Sequence, residues 1–387
     1  MTGRLELPVG DGTLITWAPS REPLAPPPRA AVSSRKAFAA THVVADPRRD
    51  PGFDGTPSLD WEATLAFRRH IWSLGLGVAE AMDTAQRGGG LDWHTSQELI
   101  RRTAAEAASV GGQAVYGAGT DQLAPGLEAP LPQIVEAYRE QVHFVESLGG
   151  SAVLMASRHL ARSARSADDY LRVYGTVIAE AGGPVLIHWL GEMFDPELAG
   201  YWGGTDPWKA METLLSLVQQ HHSRIDGIKV SLLDEELERE MRGRLPAHVR
   251  LYTGDDLNFV DLILGDGNRH SDALLGVFDP IATAASAALQ ALDEGDVPRY
   301  RQILEPTVPL SRHLFAPPTL HYKTGVVFLA YLNAHQDHFR MVAGAESARS
   351  LPHLSRLLVL ADQAGILRDP ELAVDRMRLV LALSGMG

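Results

Sequence analysis

The chain has 387 residues and a formal net charge of −13, which argues against the basic surface that nucleic-acid phosphates or an anionic membrane require. It contains no cysteine, so disulfides, thiolate zinc sites, iron–sulfur clusters and cysteine nucleophiles are excluded. Hydrophobic residues make up 45% and charged residues 21%, the balance of a globular chain with a sizeable core. No apolar run approaches the ~18 residues of a membrane span, and Met1–Gly12 carries no apolar signal segment; the expected location is cytoplasmic. Only four lysines occur, Lys36, Lys209, Lys229 and Lys323, so a lysine inside an apolar strand stands out.

In chain order, LELPVGDGTLITWA (5–18) predicts two short strands around a Gly-Asp-Gly turn. PSREPLAPPPR (19–29) predicts a stiff linker. Residues 1–30 are thus read as a hairpin and Pro-rich linker. Eight short apolar runs follow: AFAATHVV (37–44), LGVAEAM (76–82), QAVYGAG (113–119), SAVLMAS (151–157), PVLIHW (184–189), IDGIKVS (225–231), VRLYTG (249–254) and DALLGVF (272–278). Helical periodicity lies between them, as at 61–75, 94–110, 131–149 and 166–182. Gly149 and Gly182 stand where C-caps are expected. Eight βα units predict an α/β fold, a (β/α)8 TIM barrel over 31–295. Residues 296–387 form a C-terminal helical extension, with helices expected near 282–296, 321–334, 350–365 and 370–384 that cap the barrel or join subunits. The segment 333–340 interrupts them.

Ile225–Ser231 is the most informative strand. Alternation places Ile228, Val230 and Leu232 on one face, suited to outer helices, and Gly227, Lys229 and Ser231 on the other, toward the barrel interior. Lys229 falls near the carboxyl end of its strand, where barrels place chemistry. Burial disfavours an ammonium, and a neutral amine can attack a carbonyl to form an imine, an electron sink for breaking the adjacent bond. The plainer alternative is a lysine that snorkels to solvent at a strand end.

From about residue 37 to 290 the chain resembles the dihydrodipicolinate synthase and N-acetylneuraminate lyase family of class I lyases. Gly150–Ser157, a helix, then Pro184–Trp189 are similar to that family's GADAVLVVTPYY and PVILYNVP segments. Gly227-Ile-Lys-Val-Ser231 is similar to GIKDSSGD, Gly254-Asp255-Asp256 to the end of the next strand, and Leu275–Phe278 to the eighth. The resemblance implies a barrel, an imine on Lys229 and a homodimer or homotetramer. The sequence departs from the family in three places. Ile187 or His188 stands where the fifth strand's proton-relaying tyrosine is expected, and His188 becomes the acid/base candidate or a structurally bonded barrel histidine. Met82–Arg87 replaces a Gly-Thr-Thr-Gly carboxylate loop; Thr84 keeps one hydroxyl, Asp83 repels a carboxylate or caps a helix, and Arg87 could offset Asp83. Arg158-His159 replaces paired tyrosines.

Thr253, Asp255 and Asp256, with Asn258, follow the seventh strand and read as substrate-binding groups or as turn chemistry. Asp279-Pro280 reads as an ordinary helix start. His335 and His338, three apart, could share a metal if helical; no metal is expected. Gly88–Gly90 lacks the Lys and Ser/Thr of a phosphate loop, and no signature for NAD, flavin or ATP is present, so no cofactor is expected. The leading reading is a class I (Schiff-base) aldolase/lyase or dehydratase acting on a small hydroxylated, sugar-derived carbonyl compound. Lys229 and His188 are its catalytic residues, with Asp83, Thr84, Arg87, Thr253, Asp255 and Asp256 binding substrate. Two alternatives stand beside it: a metal-dependent TIM-barrel isomerase or aldolase using His42, His188 or His335, and a non-catalytic sugar-binding protein.

Overall fold

The structure, a computed structural model, describes residues 3–28, 32–49 and 56–386. The expected boundary between linker and barrel, at residues 30 and 31, lies outside the described residues.

The chain divides into two compact units. One, Arg35–Thr41 with Gly77–Gly276, contains all eight barrel strands. These are β3 (Ala37–Ala40), β4 (Gly77–Glu80), β5 (Ala114–Ala118), β6 (Ser151–Leu154), β7 (Val185–Leu190), β8 (Ile225–Ser231), β9 (Arg250–Thr253) and β10 (Asp272–Leu275). They close into a barrel in the order β10-β3-β4-β5-β6-β7-β8-β9, every neighbouring pair parallel. The expected (β/α)8 architecture is the observed one. Phe38, Ala40, Ala79, Met82, Val115, Val153, Leu186, Tyr252 and Leu274 pack as one buried cluster. Ile228 and Val230 alternate with this layer and are buried too, each contributing roughly 1.5–3 kcal/mol. Parallel strands buried on both faces read as continuous apolar runs, which is why the eight were visible in the sequence.

Helices α2 (Trp93–Val110), α3 (Leu131–Ser147), α4 (Arg158–Ser163), α5 (Ala167–Glu180), α6 (Pro207–His221), α7 (Glu235–Arg244) and α8 (Phe259–Leu264) belong to the same unit. Gly149 has the expected left-handed backbone, φ 74°. Gly182 does not: α5 stops at Glu180 and Ala181 is already extended, φ −58° and ψ 141°. Gly182 serves close approach instead. Its N–H donates to Glu146 Oε1 at 2.7 Å, and a Cβ there would sit 3.2 Å from that carboxylate.

The other unit comprises Met1–Ser34, His42–Leu76 and Val277–Gly387. It holds the predicted hairpin, β1 (Leu5–Pro8) against β2 (Leu14–Trp17), antiparallel, and α1 (Trp61–Ser73). Its C-terminal helices are α9 (Ala282–Asp293), α10 (Val297–Leu304), α11 (Val308–Leu314), α12 (Tyr322–Leu332), α13 (Leu351–Gln363) and α14 (Pro370–Leu383). The segment 333–340 is not helical, so the helical spacing that would join His335 to His338 is not realised. No described helix is long and apolar enough to cross a membrane.

Candidate active site

Lys229 is the sixth barrel strand's inward residue. In register it stands beside His188 of β7 and Tyr252 of β9, and Tyr252 belongs to the interior cluster. Only 6% of Lys229 is exposed. Burial pulls its ammonium down to about 8, while the negative charges of Asp256 and Asp83 oppose that pull. The neutral amine, the state that can act as a nucleophile, is therefore far more populated at neutral pH than in an ordinary lysine.

His188 is buried, and its Nε2 shares a hydrogen bond with Ser231 Oγ at 3.1 Å. Burial, and secondly the charge on Lys229, hold its pKa well below the ordinary imidazole value, so His188 is neutral at pH 7. Gly254 gives the pair its space. A Cβ on it would lie 2.2 Å from Ser231 Oγ, 2.7 Å from the Val230 carbonyl and 3.0 Å from Lys229 Cε. Gly254→Ala is therefore expected to cost about 1–3 kcal/mol of stability by overpacking and to displace Lys229. Thermal unfolding beside an imine-trapping assay checks both, and an unperturbed Gly254→Ala protein would show that the strand end has slack.

The strand-end loops supply the surrounding groups. Asp83 lies in a turn rather than at a helix start; the helix that follows, α2, is capped by Asp92. Its charge acts on Lys229 and on Arg158. Asp256 is buried and also acts on Lys229. A cavity of about 190 Å³ lies beside the ends of β7 and β8, lined among others by Trp189, Leu190, Gly191, Leu232 and Asp234.

A second constellation belongs to the other unit. His42 Nδ1 meets Asp279 Oδ2 at 2.7 Å, and the His42 backbone N–H donates to the same oxygen at 2.8 Å. Both side chains are fully buried. Arg68 donates to the His42 carbonyl, and the Phe67 ring packs 4.4 Å from the imidazole. Such a clamp fixes the ring and leaves Nε2 buried without a hydrogen-bond partner. Asp279 was read as a helix start; its partnership spans 237 positions in sequence and leaves no local signal. His335 packs on Phe67 and His70. No three acidic or histidine side chains among the described residues are grouped to hold a metal ion.

The family model described as "Protein of unknown function (DUF993)" matches residues 5–386. The chain belongs to this family. Comparison with curated proteins gives no match. Among solved structures, a putative dihydrodipicolinate synthetase from Pseudomonas aeruginosa superposes with a TM-score of 0.65 at 14% identity, covering 85% of this chain and 99% of its own. A prophage protein of the dihydrodipicolinic acid synthase family from E. coli K12, in complex with pyruvate, gives 0.66 at 15% identity, covering 86% and 99%. Dihydrodipicolinate synthase from Thermotoga maritima gives 0.65 at 13% identity, covering 87% and 100%. What this chain shares with these three structures is the barrel fold.

The remaining expected residues are placed as follows. Thr84 is buried in the Asp83 turn. Arg87 is committed elsewhere than to Asp83: it grips Asp121 with two bonds, 2.9 and 2.7 Å, and donates to the Gly117 carbonyl at 2.6 Å. Thr253 points away from the interior, donating to Glu238 Oε2 of α7 at 2.9 Å. Asp255 is occupied by its turn, accepting from the N–H groups of Leu257 and Asn258 and from Asn258 Nδ2 at 2.8–3.0 Å. Sequence reasoning also missed a chain of buried hydroxyls beyond β5 and β6. Tyr174 and Tyr201 meet at 2.9 Å, the Ser157 N–H donates to Tyr201 Oη at 2.9 Å, and Ser157 Oγ meets Thr120 Oγ1 at 2.6 Å. Tyr174 on the face of α5 reads as packing and Tyr201 lies in a turn, so nothing local marks them.

Proposed function

We propose that this protein is a class I, Schiff-base lyase, an aldolase or a dehydratase, for a small hydroxylated, sugar-derived carbonyl compound. The observation that carries the reading is Lys229: a buried amine, near the carboxyl end of an inward-facing strand, brought down to about 8. In this reading its nitrogen adds to the substrate carbonyl and expels water, forming the imine. The protonated imine takes up the electron pair of the neighbouring bond as that bond breaks, and hydrolysis later returns the amine. Neutral His188 takes and returns the proton, with Ser231 as its hydrogen-bonded neighbour. Asp83, Asp256 and Thr84 orient substrate hydroxyls. Arg87, Thr253 and Asp255, whose polar atoms are bonded within the fold, act by positioning the loops. The expected assembly is a homodimer or homotetramer.

The test is exchange of substrate α-protons. In deuterated water, a panel of hydroxylated ketones and aldehydes followed by NMR should show deuterium entering beside the carbonyl of at least one compound, and only with Lys229 present. Exchange that survives Lys229→Met would overturn the reading. His188→Gln is expected to lower turnover by ~10²–10⁴ with the fold intact. Its loss should also flatten the acid side of the stability profile. The folded pKa of His188 lies below 6.5, so the unfolded chain binds the extra proton and stability falls as pH drops through that region. A folded His188→Gln protein with unchanged turnover would make the imidazole structural.

A further inference from the structure

The hairpin unit contains a cavity of about 310 Å³ that the proposed reaction does not use. Its walls are apolar: Leu7, Val9 and Ile15 from the hairpin, with Val359 from α13. Its polar side comes mainly from one helix face. Pro352, Ser355, Arg356 and Val359 recur at the three-, four- and seven-residue spacing that aligns side chains on an α-helix. Ser355 is 2% exposed and its Oγ has no hydrogen-bond partner, nor does His353 Nε2. His313 stacks on His353 with ring centroids 4.2 Å apart, and its Nε2 bonds the His353 carbonyl at 3.1 Å. Burial lowers the pKa of both rings, His353 to about 3, which leaves them neutral. Arg356 is then the cation of the lining, and it is exposed, with no ion-pair partner among the described residues.

We infer that this cavity is a binding site for a small amphipathic carboxylate, its aliphatic or aromatic body against the hairpin and its head on Arg356. The volume stands at the lower end of the ~300–1,000 Å³ typical of small-molecule sites, and apolar walls with a few convergent polar groups are their usual make-up. Leucine, valine and isoleucine side chains supply no direction, so the helix face fixes the orientation of the ligand. A neutral ligand would leave the arginine unused, and a cation would be repelled by it.

The experiment is calorimetric titration of octanoate into the full chain, with octanol as the uncharged control of equal tail length. Expected are saturable one-to-one binding of octanoate and binding of octanol weaker by about tenfold or more, the loss of a charge-assisted hydrogen bond. Arg356→Ala should weaken octanoate to the level of octanol. Ile15→Glu places a carboxylate in the apolar wall at a position already 41% exposed, and should remove octanoate binding while the chain stays folded. The absence of saturable binding, equal affinity for octanoate and octanol, or octanoate affinity unchanged in both variants overturns the inference. So does self-association that Ile15→Glu abolishes in a chain that binds no octanoate, since the cavity would then be part of a contact between copies.

Discussion

Borohydride added to the protein in the presence of its carbonyl substrate is expected to leave the reduced substrate's mass on one residue, Lys229. Imine formation needs the free amine, and the fraction of free amine is set by the pKa of Lys229. Held at about 8 rather than at the ordinary 10.5, the amine is free at neutral pH far more often than a surface lysine. Trapping should therefore rise through pH 8 and level off above it. Lys229→Met should abolish the adduct and all turnover. The same substitution carries a stability signature of known sign. Burial disfavours the ammonium, so the unfolded chain holds that proton more tightly than the folded one, and wild-type stability rises with pH between about 8 and 10.5. That gap corresponds to roughly 3 kcal/mol, and the methionine variant should lack the rise and be at least as stable at pH 7. Full activity in the variant, or an adduct on Lys36, Lys209 or Lys323, would remove Lys229 from the chemistry. A destabilised variant would show that the amine makes contacts its burial does not reveal.

The barrel was legible because each of its strands is buried on both faces, and burial is what an apolar run records. The strand ends were less legible for the same reason. Thr41–Val44 and Gly276–Phe278 are as buried as the strands they follow, yet they leave the ladder, and apolarity cannot distinguish pairing from burial. Helices α10 and α11 were not read from the sequence. Each carries a proline in its first turn, Pro298 and Pro309, where the missing N–H has no helical partner to lose; in the sequence those prolines look like breakers. Lys229 could be found because a lone lysine in an alternating apolar strand is a local anomaly. The His42–Asp279 pair and the Arg87–Asp121 pair could not, because both partners of each are ordinary in their own surroundings and only the fold brings them together.

The Arg87–Asp121 pair bears on substrate choice. Small 2-keto acids such as pyruvate are expected to be poor substrates of this protein, and neutral hydroxylated ketones better ones. Two carboxylates, Asp83 and Asp256, act electrostatically on Lys229. A substrate carboxylate brought to ~4 Å from either would be repelled by about 4 kcal/mol at an effective dielectric near 20, enough to cancel several hydrogen bonds to the ligand. In the sequence, Arg87 was the group that could offset Asp83. In the fold, two of its guanidinium nitrogens pair with Asp121 and a third bond goes to the Gly117 carbonyl, so its charge is committed to that pair. Arg158, on which Asp83 does act, is itself bonded to Asp195 at 2.7 Å. Carboxylates that repel an acid accept hydrogen bonds from hydroxyls, and a polyhydroxylated ketone offers several. Asp83→Asn should therefore raise kcat/KM for pyruvate-like compounds by about tenfold or more, the equivalent of ~1.4 kcal/mol, and lower it for hydroxylated ketones. It should also shift the trapping profile of Lys229 to lower pH, because the charge that Asp83 contributes holds the ammonium on. Comparing wild type and Asp83→Asn on pyruvate and dihydroxyacetone, each across pH, separates the two effects. Tight pyruvate binding by the wild type, or a profile unmoved by Asp83→Asn, would mean that the carboxylate faces neither the substrate nor the amine.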